Sequence, residues 1–213
     1  MYREIEEYTE YLEALLRGDR MKCRDIVGVL LENDLDVRSL YIDLFQRTLY
    51  EIGELWAQNV ISVDVEHYAT AITESLFPLV YPKIFIGDHN GYKAVVSCVA
   101  NEYHQIGGKM VADILEMNGW DTSFLGANSS VDDLKAEIKN ENPALLVLSL
   151  SLAQNLKSLG SSLTEIRAVY PNLPILVGGQ GLSHVEDGFF SEIDKVSLVR
   201  SLYDMEEYIG QFG

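Results

Sequence analysis

The chain has 213 residues, 47% of them hydrophobic, with 33 acidic against 16 basic side chains and a formal net charge of −17. That length and apolar content suffice for a real core and exclude a disordered polyampholyte. The charge opposes contact with phosphate backbones and anionic bilayers, so neither nucleic acid nor a membrane surface is expected as a partner.

Taken in chain order, residues up to about 83 read as helices. Ile5, Tyr8, Leu12, Leu15 and Leu16 fall on one helical stripe. Gly18-Asp19 interrupts it, and Cys23, Ile26, Val27, Leu30 and Leu31 begin a second. Asp36 is placed to cap a third helix with Val37, Leu40, Tyr41, Leu44, Thr48, Ile52 and Leu55 on its inner face. Ser62 is placed to cap a fourth, with Asp64 in its first turn, Val65, Tyr68, Ala69, Ile72 and Leu76 facing inward, and Pro78 ending or kinking it. Four helices with short connections predict a four-helix bundle over residues 1–83.

After the loop IGDHNGY the pattern changes. KAVVSCVA (93–100), DTSFLGA (121–127), ALLVLSLS (144–151), PILVGG (174–179) and KVSLV (195–199) read as strands, with helices predicted at 107–118, 131–140, 154–169 and 201–212. Short apolar strands alternating with helices predict an α/β domain over residues 90–213. The expected architecture is a flavodoxin-like (Rossmann-like), doubly wound, five-stranded parallel sheet that binds ligands beyond the carboxyl ends of its strands.

The charged start MYREIEEYTEYLEALL is no signal peptide, and no apolar run approaches the ~20 residues that span a bilayer. Cys23 and Cys98 have no metal-type spacing and read as buried free thiols in a reducing compartment. A cytoplasmic protein is expected. His89 and His184 sit in polar loops and read as surface residues.

The chemistry gathers at the predicted strand ends. The first leads to Glu102, His104, Gly107 and Gly108, the third to Ser149 and Ser151, and the fourth to Gly178 and Gly179. Forty-one residues (108–148) separate Gly107 from Ser149, and twenty-six (152–177) separate Ser151 from Gly178. Here the imidazole of His104 is a candidate metal ligand, Glu102 a candidate partner for its other ring nitrogen, and the glycines candidates for close passage of a bulky, flat group. A lone histidine after a strand is usually a solvated residue. Three such features at matched positions are a different matter.

This pattern, E-x-H-x-x-G, S-x-S and GG, resembles the cobalamin-binding signature D-x-H-x-x-G, S-x-L and GG. Glu102 stands where that family has Asp, and Ser151 where it has Leu. The resemblance implies that His104 is the lower axial cobalt ligand in place of the cofactor's own dimethylbenzimidazole. The displaced base would lie beside Ser149, Ser151, Gly178 and Gly179.

A second pattern precedes it. Trp56 is followed by nine residues (57–65) and then Glu66-His67. W-x9-E-H resembles the helical cap of cobalamin-dependent photoreceptors and the related cobalamin-sensing antirepressors. There the Trp lies over the upper corrin face, and the Glu and His meet the upper-ligand region. In the light-responsive members a His follows that Trp, whereas here the residue is Ala57. No winged-helix DNA-binding module is expected in these residues.

The resemblance implies a cobalamin-binding sensor or photoreceptor module. Adenosylcobalamin is its first expected cofactor, with methyl- and hydroxocobalamin as further forms. Its expected partner is a protein: a regulator, an output domain or a methyltransferase. The alternatives are a corrinoid carrier for methyl transfer and a photoreceptor that holds a bilin beside or instead of cobalamin. No hydrolytic triad, P-loop or zinc motif is present, so turnover by this chain alone is not expected. A bundle face leaves a homo-oligomer open.

Overall fold

The computed structural model describes residues 2–85, 87–186 and 188–212. It divides into two compact units, residues 1–86 and 87–213.

The first unit is helical. α1 (Tyr8–Leu16) and α2 (Arg20–Glu32) are separated by Gly18 at φ +70°, and Asp19 caps α2 by accepting from Lys22 N at 3.0 Å. Asp36 caps α3 (Val37–Ser39), its carboxylate accepting from the N–H groups of Arg38 and Ser39. From there the rod runs on as a π-helix over Leu40–Gln46 and returns to α-helix in α4 (Arg47–Ala57).

The sequence predicts a plain α-helix here, and the stripe itself explains the difference. Leu40, Leu44, Thr48 and Ile52 are spaced by four and are all fully buried. On an α-helix, positions four apart drift by about 40° per step, or about 120° over that run. A wider π segment removes the drift and keeps all four against the core. Leu55, the last residue of the expected stripe, is half-buried.

Ser62 occupies the N-cap of α5 (Val63–Glu74) without a side-chain hydrogen bond. Ala69, Ile72 and Leu76 are buried as expected, but Tyr68 is 63% exposed, so the inner face is narrower than predicted. The predicted fourth helix breaks ahead of Pro78. α5 stops at Glu74, and a further helix, α6 (Phe77–Ile84), begins with that proline in its first turn, where a missing N–H leaves no bond unmade. Tyr11, Tyr41, Phe45 and Phe77 form the aromatic centre of this unit, with ring centroids 5.3–6.0 Å apart.

The second unit is the expected parallel sheet. β1 (Lys93–Cys98), β2 (Asp121–Phe124), β3 (Leu145–Ser149), β4 (Ile175–Gly178) and β5 (Val196–Leu198) lie in the order β2-β1-β3-β4-β5, every pair parallel. The central strands β1 and β3 are buried along nearly their whole length, which is why they read as unbroken apolar runs. α7 (Ile106–Met117), α8 (Val131–Glu141), α9 (Leu156–Val169) and α10 (Leu202–Ile209) complete the alternation. A capping box between Ser130 and Asp133 starts α8. The strand order reverses between β1 and β3. Loops leaving those two carboxyl ends diverge, and the crevice between them is the ligand position of such sheets.

Candidate functional site

The loop after β1 is fixed before its chemistry begins. Asn101 adopts φ +67°, its N–H donates to Asn128 Oδ1 at 2.8 Å, and Asn128 N donates to Glu102 O at 2.8 Å. These contacts tie the β1 loop to the loop after β2. The turn carries Glu102 inward, and its side chain is wholly buried.

Glu102 then joins both sides of the switch point. Its Oε1 accepts from His104 N at 3.0 Å and lies 2.7 Å from His104 Nδ1. Its Oε2 accepts from the segment after β3: Ser151 N at 3.0 Å, Leu152 N at 2.9 Å and Asn155 Nδ2 at 3.2 Å. Burial alone pushes this carboxyl up. The bonds from His104 and Asn155 and from the N–H groups of Leu152 and His104 outweigh it and hold Glu102 at about 2. An anion 2.7 Å from Nδ1 requires the proton on that nitrogen. Nε2 is therefore the basic ring nitrogen, on a side chain 37% exposed. The predicted pairing of Glu102 with His104 is present in the structure.

Around this pair, Ser151 Oγ donates to His104 O at 3.4 Å, and Cys98 Sγ lies 3.7 Å from the same oxygen. Both cysteines are buried and free, and burial pushes the Cys98 thiol up to about 12. Ser149 is buried at the end of β3, where a Cβ on Gly107 would come within 3.7 Å of its Oγ. Gly107 thus keeps open a position directly beside the expected hydroxyl.

The remaining glycines serve the chain's own packing. A Cβ on Gly108 would meet Phe124 Cε2 at 3.1 Å and Cys98 Sγ at 3.4 Å, so this residue faces the sheet instead of a passing ligand. Gly178 abuts Val199, with contacts of 3.1 Å. Gly179 has φ +115°, and a Cβ there would fall 2.3 Å from Leu150 O. Gly178 thus lets β4 end against the segment after β5, and Gly179 brings the chain backbone-to-backbone against the segment after β3.

Trp56, Glu66 and His67 belong to the helical unit. Trp56 lies in the last turn of α4 and is 39% exposed; α5 packs against α4 and carries Glu66 and His67 in its first turns. The two neighbours on α5 diverge. Glu66 is only 12% exposed, with Oε1 accepting from Thr70 Oγ1 at 3.0 Å, whereas His67 is 71% exposed and its Nε2 is 3.7 Å from Glu66 Oε2. His89 and His184 are exposed as expected, and His89 pairs with Glu116 at 3.1 Å.

Two residues of the site, Asn155 and Gly181, carry no motif of their own. Asn155 is buried, holds both Glu102 and Asn101 O, and sits in the 3-10 turn leading into α9. Gly181 is needed because a Cβ would lie 2.9 Å from Leu152 C. Their one sequence signal is closeness to motif residues: Asn155 falls four residues after Ser151, and Gly181 two after Gly179.

Among the described residues, no group of three or more His, Cys, Asp and Glu side chains could hold a bare metal ion. A single imidazole with a committed Nδ1 suits a metal that arrives already held in a macrocycle, with one axial position for Nε2. Fold and site together define a parallel-sheet protein with one histidine held by a buried carboxylate at its switch point. Comparison with known proteins agrees. The B12 binding domain model matches residues 92–198, and a second B12 binding domain model matches residues 7–80. The chain belongs to the B12-binding domain family.

It is 29% identical over 133 residues to the HTH-type transcriptional repressor CarA of Myxococcus xanthus, a match that covers 62% of this chain and 45% of that protein. The chain therefore spans less than half the length of this curated relative. In fold it is similar to the monomethylamine corrinoid protein of Methanosarcina barkeri, with a TM-score of 0.83, 14% identity, and coverage of 98% of this chain and 99% of the other. The cobalamin-binding protein from Desulfitobacterium hafniense DCB-2 gives a TM-score of 0.51 at 16% identity, covering 98% of this chain and all of the other. No described helix is long and apolar enough to cross a membrane.

Proposed function

We propose that this chain is a cobalamin-binding sensor that takes up adenosylcobalamin, or another cobalamin, with the cofactor's own base displaced and His104 as lower ligand. The observation that carries this reading is the buried, five-donor seat of Glu102. It fixes the tautomer of His104 and raises the donor strength of Nε2 in the switch-point crevice. Bound cobalamin would supply a cobalt–carbon bond that light can break.

On this reading, Trp56, Glu66 and His67 form the platform for the upper ligand, and the upper ligand's loss biases a two-state rearrangement read by a protein partner. The likeness to CarA, a transcriptional repressor by name, supports a sensory role. Sizing-column profiles of the cobalamin-loaded chain in the dark and after green light test it. A light-dependent change in size or shape is expected. Identical profiles would remove the assembly switch.

A second reading is a corrinoid carrier for methyl transfer. The full-length fold likeness to the monomethylamine corrinoid protein favours it, as does a weaker one to the methanol:cobalamin methyltransferase complex MtaBC, with a TM-score of 0.53 and 15% identity. Its partner would be a methyltransferase. Under strong reduction the carrier reading expects the loaded chain to accept a methyl group, and failure to do so leaves the sensor.

A further inference from the structure

We propose that residues 2–8 act as a releasable strap that holds the 40–46 segment in π-helical form, and that opening the strap turns α4 and Trp56 about the axis of the rod. The proposal concerns the helical unit alone and stands whether or not a corrinoid binds.

The strap reaches four residues of the rod. Arg3 N donates to Asp43 Oδ1 at 2.7 Å, and Arg3 Nη1 donates to Ser39 Oγ at 3.5 Å. The Arg47 guanidinium lies 3.6 Å from the Tyr8 ring centroid and 5.7 Å from that of Tyr2, and Tyr8 Oη donates to Glu51. Ile5, between them, is buried. The four residues gripped are 39, 43, 47 and 51, a strict interval of four.

That interval links strap to helix type. On an α-helix these residues would drift about 120° from first to last, and the short segment 2–8, which turns at 6–7 into the start of α1, could not stay over all of them. The π turn holds them in line, as it holds Leu40, Leu44, Thr48 and Ile52 in line against the core. Core stripe and strap stripe therefore demand the same unusual register from adjacent sides, and residues 40–45 are buried without a break. Removing the strap removes one of the two demands. Return of the segment to α-helix would rotate α4 by on the order of 100°, one residue's worth of turn, and would carry Thr48 and Ile52 off the core, so the turned form is a minor, transiently opened state.

Asp43 makes the strap releasable. It is 2% exposed, and its Oδ2 has no hydrogen-bond partner. A carboxylate oxygen that is buried and unmatched gains solvation when the strap lifts, which opposes closure. Glu51 lies on α4 five residues before Trp56, so a strap that grips α4 at Arg47 and Glu51 sets the direction of the exposed indole.

Hydrogen exchange on the full chain, paired with iodide quenching of tryptophan fluorescence, tests this. Trp56 is 39% exposed and Trp120 only 2%, so quenching reports Trp56. Arg47→Gln removes the cation over the Tyr8 and Tyr2 rings. Exchange should rise together in 2–8 and 40–46 by about tenfold, the scale of one desolvated cation–π contact, and quenching should change. Tyr8→Phe keeps the stack, loses only the bond to Glu51, and should move the same three readouts together by about threefold. Loosening of 2–8 with 40–46 and Trp56 unchanged would overturn the proposal. Should Arg47→Gln also loosen the β-strands, Tyr8→Phe decides: a concerted change sustains the strap, and separate or absent changes overturn it.

Discussion

The two units hold polar chemistry in opposite ways. In the sheet unit, Glu102 is fully buried and meets five donors, two from the loop after β1 and three from the segment after β3. In the helical unit, Asp43 is equally buried, yet one of its oxygens is unmatched, and Trp56 and His67 stand exposed. A saturated carboxylate fixes a ligand atom in place before anything binds. An undersatisfied one leaves its element free to move. On the proposed reading, the same residue chemistry separates a rigid seat from a movable platform.

The comparison breaks most readily at the backbone of the sheet unit. Gly179→Ala would place a Cβ 2.3 Å from Leu150 O at φ +115°, and is expected to destabilise that unit by roughly 3 kcal/mol or more. Denaturation followed at Trp120, in the sheet unit, should shift while exchange protection in α1–α5 does not. Glu102→Ala should lower the stability of the same unit by about 3 kcal/mol, because it strands several buried donors, and Glu102→Gln by less. Equal losses from both variants would mean that the donors do not need an acceptor there.

On the helical side the expectation is the reverse. Trp56→Ala should change stability by no more than about 0.5 kcal/mol, since the ring is 39% exposed, yet alter the visible spectrum of bound cobalamin. A large loss of stability with an unchanged spectrum would return Trp56 to the role of packing residue.

The smallest effect concerns the capping box of α8. Ser130 holds the Asp133 carboxyl below its ordinary value of 3.8. The helix-start stability it gives is present above that value and is lost as pH falls through the lower folded value. Titration by NMR should show Asp133 returning toward 3.8 in Ser130→Ala. No change would remove the box as the cause.

Much of the sheet unit was legible because its demands are local. Buried parallel strands must be apolar runs, and Glu102 and His104 lie two residues apart. The features that escaped depend on tertiary approach. Gly108, Gly178, Gly179 and Gly181 look alike in sequence, and only the backbone they meet shows that packing explains them. Asn155 looks like any polar residue before a helix until Glu102 lies against it. The π-helix was written in the four-residue spacing of Leu40, Leu44, Thr48 and Ile52, but a stripe with occasional steps of three reads as α. Tyr68 shared the inward stripe of α5, and its exposure shows that periodicity fixes a face and not its width.

The central claim is that His104, seated by Glu102, is the axial donor to a corrinoid. The visible spectrum of the chain titrated with adenosylcobalamin in the dark, for wild type and His104→Ala, tests it most directly. The account predicts a wild-type spectrum of imidazole-ligated cofactor with its own base displaced, and for His104→Ala the loss of that signature with affinity lower by about 100-fold or more. The same spectrum and the same affinity in both proteins would contradict it.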